Sequence, residues 1–265
     1  MGAAPDPLGP LLEDVHACLH LGEVEAAFLA RAADVLPGRA HGIYALDART
    51  GTPGLVRATG VSDAFLAEYE EVGRACDPVL ARIRTTLAPA ASGSLMTDAD
   101  WRSQPFYEVC LHGRIHHVMQ APVVVRGELA GTLNVAGPRR DPPFTRRDLH
   151  RLGLVARHVA VAFERAGRVQ ALEERTRLLL GVLDGLAAPV VVSEPNGTVV
   201  YANRAGGALL NERPTGLERV LREHGSLLTG GRRRVASSAV PAEPALGRPP
   251  RLGVRSVLLA GPRAA

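Results

Sequence analysis

Apolar residues recur at helical spacing through the first 36 positions. Leu11, Leu12, Val15, Cys18 and Leu19 fall on one side, so residues 8–36 read as helix, broken or kinked near Gly22. The period then changes. HGIYALDA (41–48) and GLVRATG (54–60) are short strand-like runs joined by the turn-rich RTGTP. Helical spacing returns with Ser62 or Asp63 as N-cap, followed by Phe65, Leu66 and Tyr69. Asp77-Pro78 opens a further helix, with Asp77 suited to the cap and Pro78 to the first turn. After a loose connector at 87–94, Asp98 or Asp100 caps a helix that runs through Trp101 and, past Pro105, to Leu111.

The strongest β signal comes next. IHHVMQAPVVV and ELAGTLNVAG flank Arg126-Gly127, a two-residue turn suited to a hairpin. Thr145 and Asp148, three apart, form a capping-box-like pair at the head of a long helix over 146–186. Its apolar or small positions 152, 155, 159, 162, 166 and 169 follow 3–4 spacing, which resumes one residue out of phase at 172, 176, 179, 183 and 186. Such a repeat is a coiled-coil seam with a local phase adjustment. Two amphipathic helices meeting near Gly167 would give a similar pattern, and the continuous helix is the favoured reading. Residues 188–210 then read strand, turn at Pro195-Asn196-Gly197, strand and short helix. GLERVLREHG is another short helix, and RRVASSAV and RLGVRSVLLAG are the last strand candidates.

Composition narrows the chemistry. The 31 basic residues are all arginine, so a P-loop lysine, a kinase ATP-pairing lysine, a Schiff-base lysine and a lysine general base are excluded. Charge is uneven: residues 1–137 are net −6 (10 Arg against 16 Asp and Glu), and residues 138–265 are net +10 (21 Arg against 11). That asymmetry fits two modules divided near GPRRDPPF at 137–144. No apolar run reaches the roughly 18–20 residues that span a bilayer. The start MGAAPDPLGPLLEDVH has no basic opening, so no secretory signal is expected. Cys18, Cys76 and Cys110 are odd in number and lack CxxC spacing, which predicts a reducing, cytoplasmic setting without disulfides. With one Trp, four Tyr and five Phe, little is available for stacking on nucleic acid, and neither direct nucleic-acid binding nor membrane binding is expected.

Residues 1–160, with Pro122, Gly127, Gly131 and Leu133 in the hairpin APVVVRGELAGTLNVAG, resemble a GAF domain. The resemblance implies an α/β (α+β) fold in which this hairpin forms the centre of an antiparallel sheet. Gly131 would let a helix or ligand approach the strand closely. More narrowly, Phe65-x3-Tyr69-x7-Asp77-Pro78, then Trp101, then PFYEVCLHGRIHHVMQAPV, resemble the sensory half of LuxR-type transcription regulators. That likeness implies a ligand pocket lined by Phe65, Tyr69, Asp77 and Trp101, with Tyr107 beside them. An apolar or amphipathic small molecule would be the ligand. Each residue also has a packing reading: Phe65 and Tyr69 as core, Asp77 as helix cap, Trp101 as anchor. Residues 178–260 resemble a truncated PAS domain, in which Asn203 would cap the helix after the second strand.

Other chemistry was sought. Cys110-x-His112-x3-His116-His117 has metal-like spacing, but the helix should end near Gly113 and the two adjacent histidines then point to opposite faces of a strand, so no metal is expected. Cys110 is a candidate redox thiol if it is exposed and has positive neighbours. No GxSxG or GxGxxG motif is present. The expectation is a non-enzymatic, cytoplasmic sensor without cofactor: a GAF-like domain over 1–160, a signalling helix over 146–187 and a PAS-like domain over 178–260. It would act as a homodimer in transcriptional regulation or signal transduction. The ending holds no helix-turn-helix pattern, so an output partner protein is expected. The alternatives are a GAF-fold redox or ligand-converting enzyme using Cys76 or Cys110, and a dimerisation scaffold that senses nothing.

Overall fold

Two helices open the chain, α1 (Leu8–Ala17) and α2 (Leu21–Val35). The break falls at 18–20 and not at Gly22, which lies inside α2. The Glu23 carboxylate causes it by accepting the backbone N–H groups of Leu19 and His20 at 2.8 and 3.1 Å, closing a new helix start. This computed structural model describes residues 7–46, 52–194, 196, 198–212, 216–229, 235–241 and 251–257. The chain divides into two compact units, Met1–Leu172 and Glu173–Ala265.

In the first unit, strands β1 (Ala40–Leu46) and β2 (Pro53–Thr59) pair antiparallel; most of the RTGTP connection lies outside the described residues. Ser62 caps α3 (Asp63–Glu68), its hydroxyl accepting from the Phe65 N–H. A π-helical turn (Tyr69–Gly73) and the short α4 (Arg74–Cys76) continue that helix. Asp77 then caps α5 (Pro78–Thr86). The connector expected at 87–94 holds a two-residue strand, β3 (Ala90–Ala91), and one helical turn, α6 (Ser92–Leu95). The cap of α7 (Asp98–Arg102) is Thr97, not Asp98 or Asp100. Both acids lie inside the first turn, where the Thr97 hydroxyl accepts the Asp100 N–H and donates to its carboxylate. After α8 (Pro105–His112) come β4 (His117–Val125) and β5 (Glu128–Gly137). Arg126 and Gly127 turn the hairpin with φ of 53° and 86°, both left-handed, as a type I′ turn requires.

The sheet has the order β2-β1-β5-β4-β3, with every pair antiparallel. Strand alternation gives it two apolar faces. Ile43, Ala45, Met119, Ala121, Val123, Leu133 and Val135 pack in one core with α1, α2 and the long helix α9 (Arg146–Asp184). Tyr44 and Val118 join Phe65, Tyr69, Ile83, Trp101, Phe106 and Cys110 in a second core under α3–α8.

Helix α9 is continuous over 39 residues and passes Gly167 unbroken. Thr145 and Asp148 form its capping box. Its first apolar seam is used inside the unit: Leu152, Val155, Val159, Ala162 and Ala166 are buried in the core against the sheet. That half of the expected coiled-coil seam therefore packs within its own domain. Leu172, Leu178, Leu179, Val182 and Leu186, further along, are exposed.

The second unit holds the end of α9, a β6–β7 pair (Val191–Ser193, Val199–Ala202), α10 (Arg204–Asn211), α11 (Leu217–Thr229) and a β8–β9 pair (Val235–Pro241, Arg251–Val257). Asn203 knits it together. Its side-chain oxygen accepts from Gly206 N at 2.7 Å and Val190 N at 2.9 Å, and its nitrogen donates to the carbonyls of Leu183 and Ala188. Pro195, Gly197 and the Pro-rich loop 242–250 lie outside the described residues. Among the described residues, no helix is long and apolar enough to cross a membrane.

Candidate functional site

Under the α3–α8 face of the first unit lies a cavity of about 60 Å³. That is room for roughly four to six waters. The sheet supplies its floor through Gly42, Tyr44, Val118, Gln120 and Asn134, and the helices close it with Phe65, Leu66, Tyr69, Phe106 and Cys110. Gly42 matters because Asn134 sits directly opposite it on β5, and a side chain there would take up the floor. No lining residue is an acid or an arginine. His41 is the one titratable base, and burial lowers its pKa.

An aromatic group forms the cavity's wall. The Tyr69 ring meets Tyr44 at 5.8 Å and Phe106 at 5.9 Å between centroids, both edge-on, and lies 6.4 Å from Phe65. Outside it, the Arg74 guanidinium lies 4.8 Å from the Tyr44 centroid while holding Glu70 through two 2.9 Å bonds. The π-helical turn aims Tyr69 into this group, and Gly73 lets the Tyr69 ring and α8 pack closely against the turn: a Cβ there would stand 3.0 Å from the Tyr69 ring and 3.2 Å from Val109.

Behind the wall is a buried polar centre. Asp77 Oδ1 accepts the N–H groups of Val79 and Leu80 at 2.8 and 3.1 Å, and Oδ2 accepts the Tyr69 hydroxyl at 3.0 Å and the Gln120 amide nitrogen at 2.6 Å. Burial pushes the Asp77 carboxyl up, and these four donors oppose the rise. Burial, then the neighbouring Asp77 charge, drives the Tyr69 phenol far above its ordinary range, so it remains a donor.

The expected site residues thus separate. Phe65, Tyr69 and Cys110 line the cavity. Asp77 is both cap and network centre, one layer behind. Trp101 and Tyr107 are buried in the same core but do not line it. Trp101 stacks edge-on with Phe106 and Tyr107, and Tyr107 bonds His116 Nδ1 at 2.9 Å. Cys110 does not meet the conditions of a redox thiol: it is fully buried, and burial together with the Asp77 charge pushes its pKa up. Residues not anticipated are Tyr44, Phe106, Gln120 and Asn134. A lone amide in the apolar run HVMQAPVVV is the signal that marked Gln120. Among the described residues, no cluster of three His, Cys, Asp or Glu could hold a metal ion.

A close contact joins a cavity-lining strand to α9. Gly131 lies so close to β1 that a Cβ on it would stand 2.2 Å from the Tyr44 carbonyl oxygen and 3.1 Å from the Phe163 ring of α9. Tyr44 thus has its ring in the cavity wall and its backbone against the strand that Phe163 covers. Arg165, two residues on, donates to the carbonyls of Cys18 and Val15 at the end of α1.

The first unit is thus a helix-flanked antiparallel sheet with a largely apolar pocket on one face and α9 on the other. The chain belongs to the GAF domain family, a sensory family of signalling proteins, whose model matches residues 18–164. No curated protein matches it. Among solved structures it is similar to a GAF domain/HD domain protein from Geobacter sulfurreducens (19% identity, 59% of this chain and 98% of that one, TM-score 0.45). It is also similar to the GAF domain of a phosphoenolpyruvate-protein phosphotransferase from Coxiella burnetii (18%, 64% and 99%, TM-score 0.47). A third is an N-acylhomoserine lactone dependent LuxR family transcription factor from Burkholderia cenocepacia (13%, 62% and 96%, TM-score 0.46).

Proposed function

We propose that this protein is a small-molecule sensor in signal transduction or transcriptional regulation, its ligand held in the cavity under α3–α8. The observation that carries the reading is the largely apolar cavity itself, walled by Tyr44, Phe65, Tyr69 and Phe106. A ligand that fills it favours one packing of Tyr44, and the Tyr44–Gly131–Phe163 contact conveys that preference to α9. The second unit is read as a PAS-like receiver, on the strand–turn–strand–helix order closed by Asn203. The exposed leucines after Leu172 are the surface through which two copies pair.

The test uses Gly42, where a Cβ meets only ordinary contacts at 3.5–3.7 Å, so alanine fits and a larger side chain grows into the cavity. A panel of small neutral compounds should raise the melting temperature of the wild type and of Gly42→Ala but not of Gly42→Leu. Leu179→Arg should halve the mass measured by sedimentation. A dimer that no compound stabilises would show a scaffold instead of a sensor.

A further inference from the structure

One residue that lines the cavity carries a buried polar atom without a partner among the described residues. Gln120 is 2% exposed and lines the cavity, and its side-chain oxygen has no hydrogen-bond partner among the described residues. Its orientation is fixed by Asp77: a carboxylate that already takes two backbone N–H groups and the Tyr69 hydroxyl draws the amide nitrogen to itself at 2.6 Å. Gln120 lines the cavity and Asp77 does not, so with the nitrogen held at Asp77 the oxygen is the amide's unpaired end, and a donor filling the space could reach it after a small shift. The amide best placed to satisfy it is Asn134, directly opposite on β5, but the Asn134 nitrogen is turned along its own strand to the Thr132 hydroxyl at 3.1 Å. An unpaired buried acceptor is costly, and a ligand donor would remove that cost.

Resting on the sensor reading, we propose that Gln120 is the residue that selects the ligand: a neutral, mostly apolar molecule presenting a single N–H or O–H donor to its side-chain oxygen. Neutrality follows from a lining without acid or arginine, in which a charged ligand would lose its water and gain no counter-charge. Size follows from the cavity, which admits a ligand of about five to nine non-hydrogen atoms. Asp77 is a positioning residue here, saturated by protein donors, and it acts on the ligand only by setting the amide of Gln120.

Indole and benzofuran test this, because they share shape and apolar area and differ in carrying an N–H donor or a ring oxygen. Calorimetric titration of the full chain should give indole a Kd about tenfold tighter than benzofuran. In Gln120→Met, which keeps length and apolar volume, both should bind within about threefold of each other; this is the scale of one lost hydrogen bond. In the wild type, indene, with the same nine ring atoms and no donor, should bind no better than benzofuran, which tests the donor without any substitution. Equal binding of indole and benzofuran to the wild type would overturn the proposal and leave the ligand pocket standing. A preference that persists in Gln120→Met would move the acceptor to another residue and overturn the assignment. Binding of neither compound at millimolar concentration would overturn the pocket reading and the proposal together.

Discussion

Glu25 is the most exposed weakness in the first unit. It sits on the buried side of α2 with 0% exposure, both carboxylate oxygens lack a hydrogen-bond partner among the described residues, and its ion partner Arg57 is 3.5 Å away and largely in water. Burial raises its pKa from 4.5 to about 7, opposed only partly by Arg57. Below pH 4.5 the group is protonated in both states. Between 4.5 and about 7 the folded state keeps a proton that the unfolded chain has released, so stability falls as the pH rises. Above about 7 the loss is complete, and the shift corresponds to about 3 kcal/mol. Glu25→Gln keeps the shape and removes the charge, and Arg57 remains solvated. The variant should gain on the wild type by about 2–3 kcal/mol between pH 5 and pH 8, or roughly 4–12 °C in Tm for a unit of this size. Denaturant unfolding followed by fluorescence measures it cleanly, because the chain's one tryptophan, Trp101, is buried in this unit. A gap that is the same at both pH values, or a wild type more stable than the variant at pH 8, would refute the reasoning.

Other expectations follow from the same contacts. Gly131→Ala should destabilise the first unit by more than about 2 kcal/mol, since its Cβ meets backbone that has no room to move; a loss under about 0.5 kcal/mol in the same fluorescence assay would contradict that close approach. Asn203→Ala should cost the second unit about 2 kcal/mol and speed amide exchange at Val190 and Gly206 more than tenfold; unchanged exchange would show that the Asn203 bonds hold nothing together. A thiol reagent should label Cys76 quickly in the native chain and Cys18 and Cys110 only on unfolding, and rapid labelling of Cys110 would revive it as a reactive thiol.

How far the site could be read in advance depended on whether a residue's role is local. Asp77 as cap, Ser62, the Arg126-Gly127 turn and the Thr145–Asp148 box are settled within four residues of chain, and each was legible. Thr97 was overlooked because two acids beside it are equally good caps, and only the placement of the first turn decides. Phe65, Tyr69 and Trp101 were legible as packed aromatics, and Tyr107 as a pocket candidate. Which of them meets the cavity depends on the π-helical turn and on how α7 and α8 fold over the sheet, neither of which has a short-range signature. Gln120 and Glu25 have the opposite character: each is a polar residue on an apolar stripe, visible as an anomaly but with a partner dozens of residues away. The seam at 152–166 showed its period correctly, but period alone does not say whether a sheet or a second helix takes it up.

The π-helical turn at Tyr69–Gly73 carries one more residue than an α-helical path would need. Removing a residue there would leave a continuous, better-bonded α-helix, while turning everything before the deletion by about 100° relative to Asp77. Phe65 and Tyr69 would leave the cavity together and their neighbours would enter it. This segment can therefore exchange the side chains it turns to the cavity through a change of length, at no loss of backbone hydrogen bonds. A single-codon deletion at this turn would thus remake the cavity wall in one step, where point substitutions would need several.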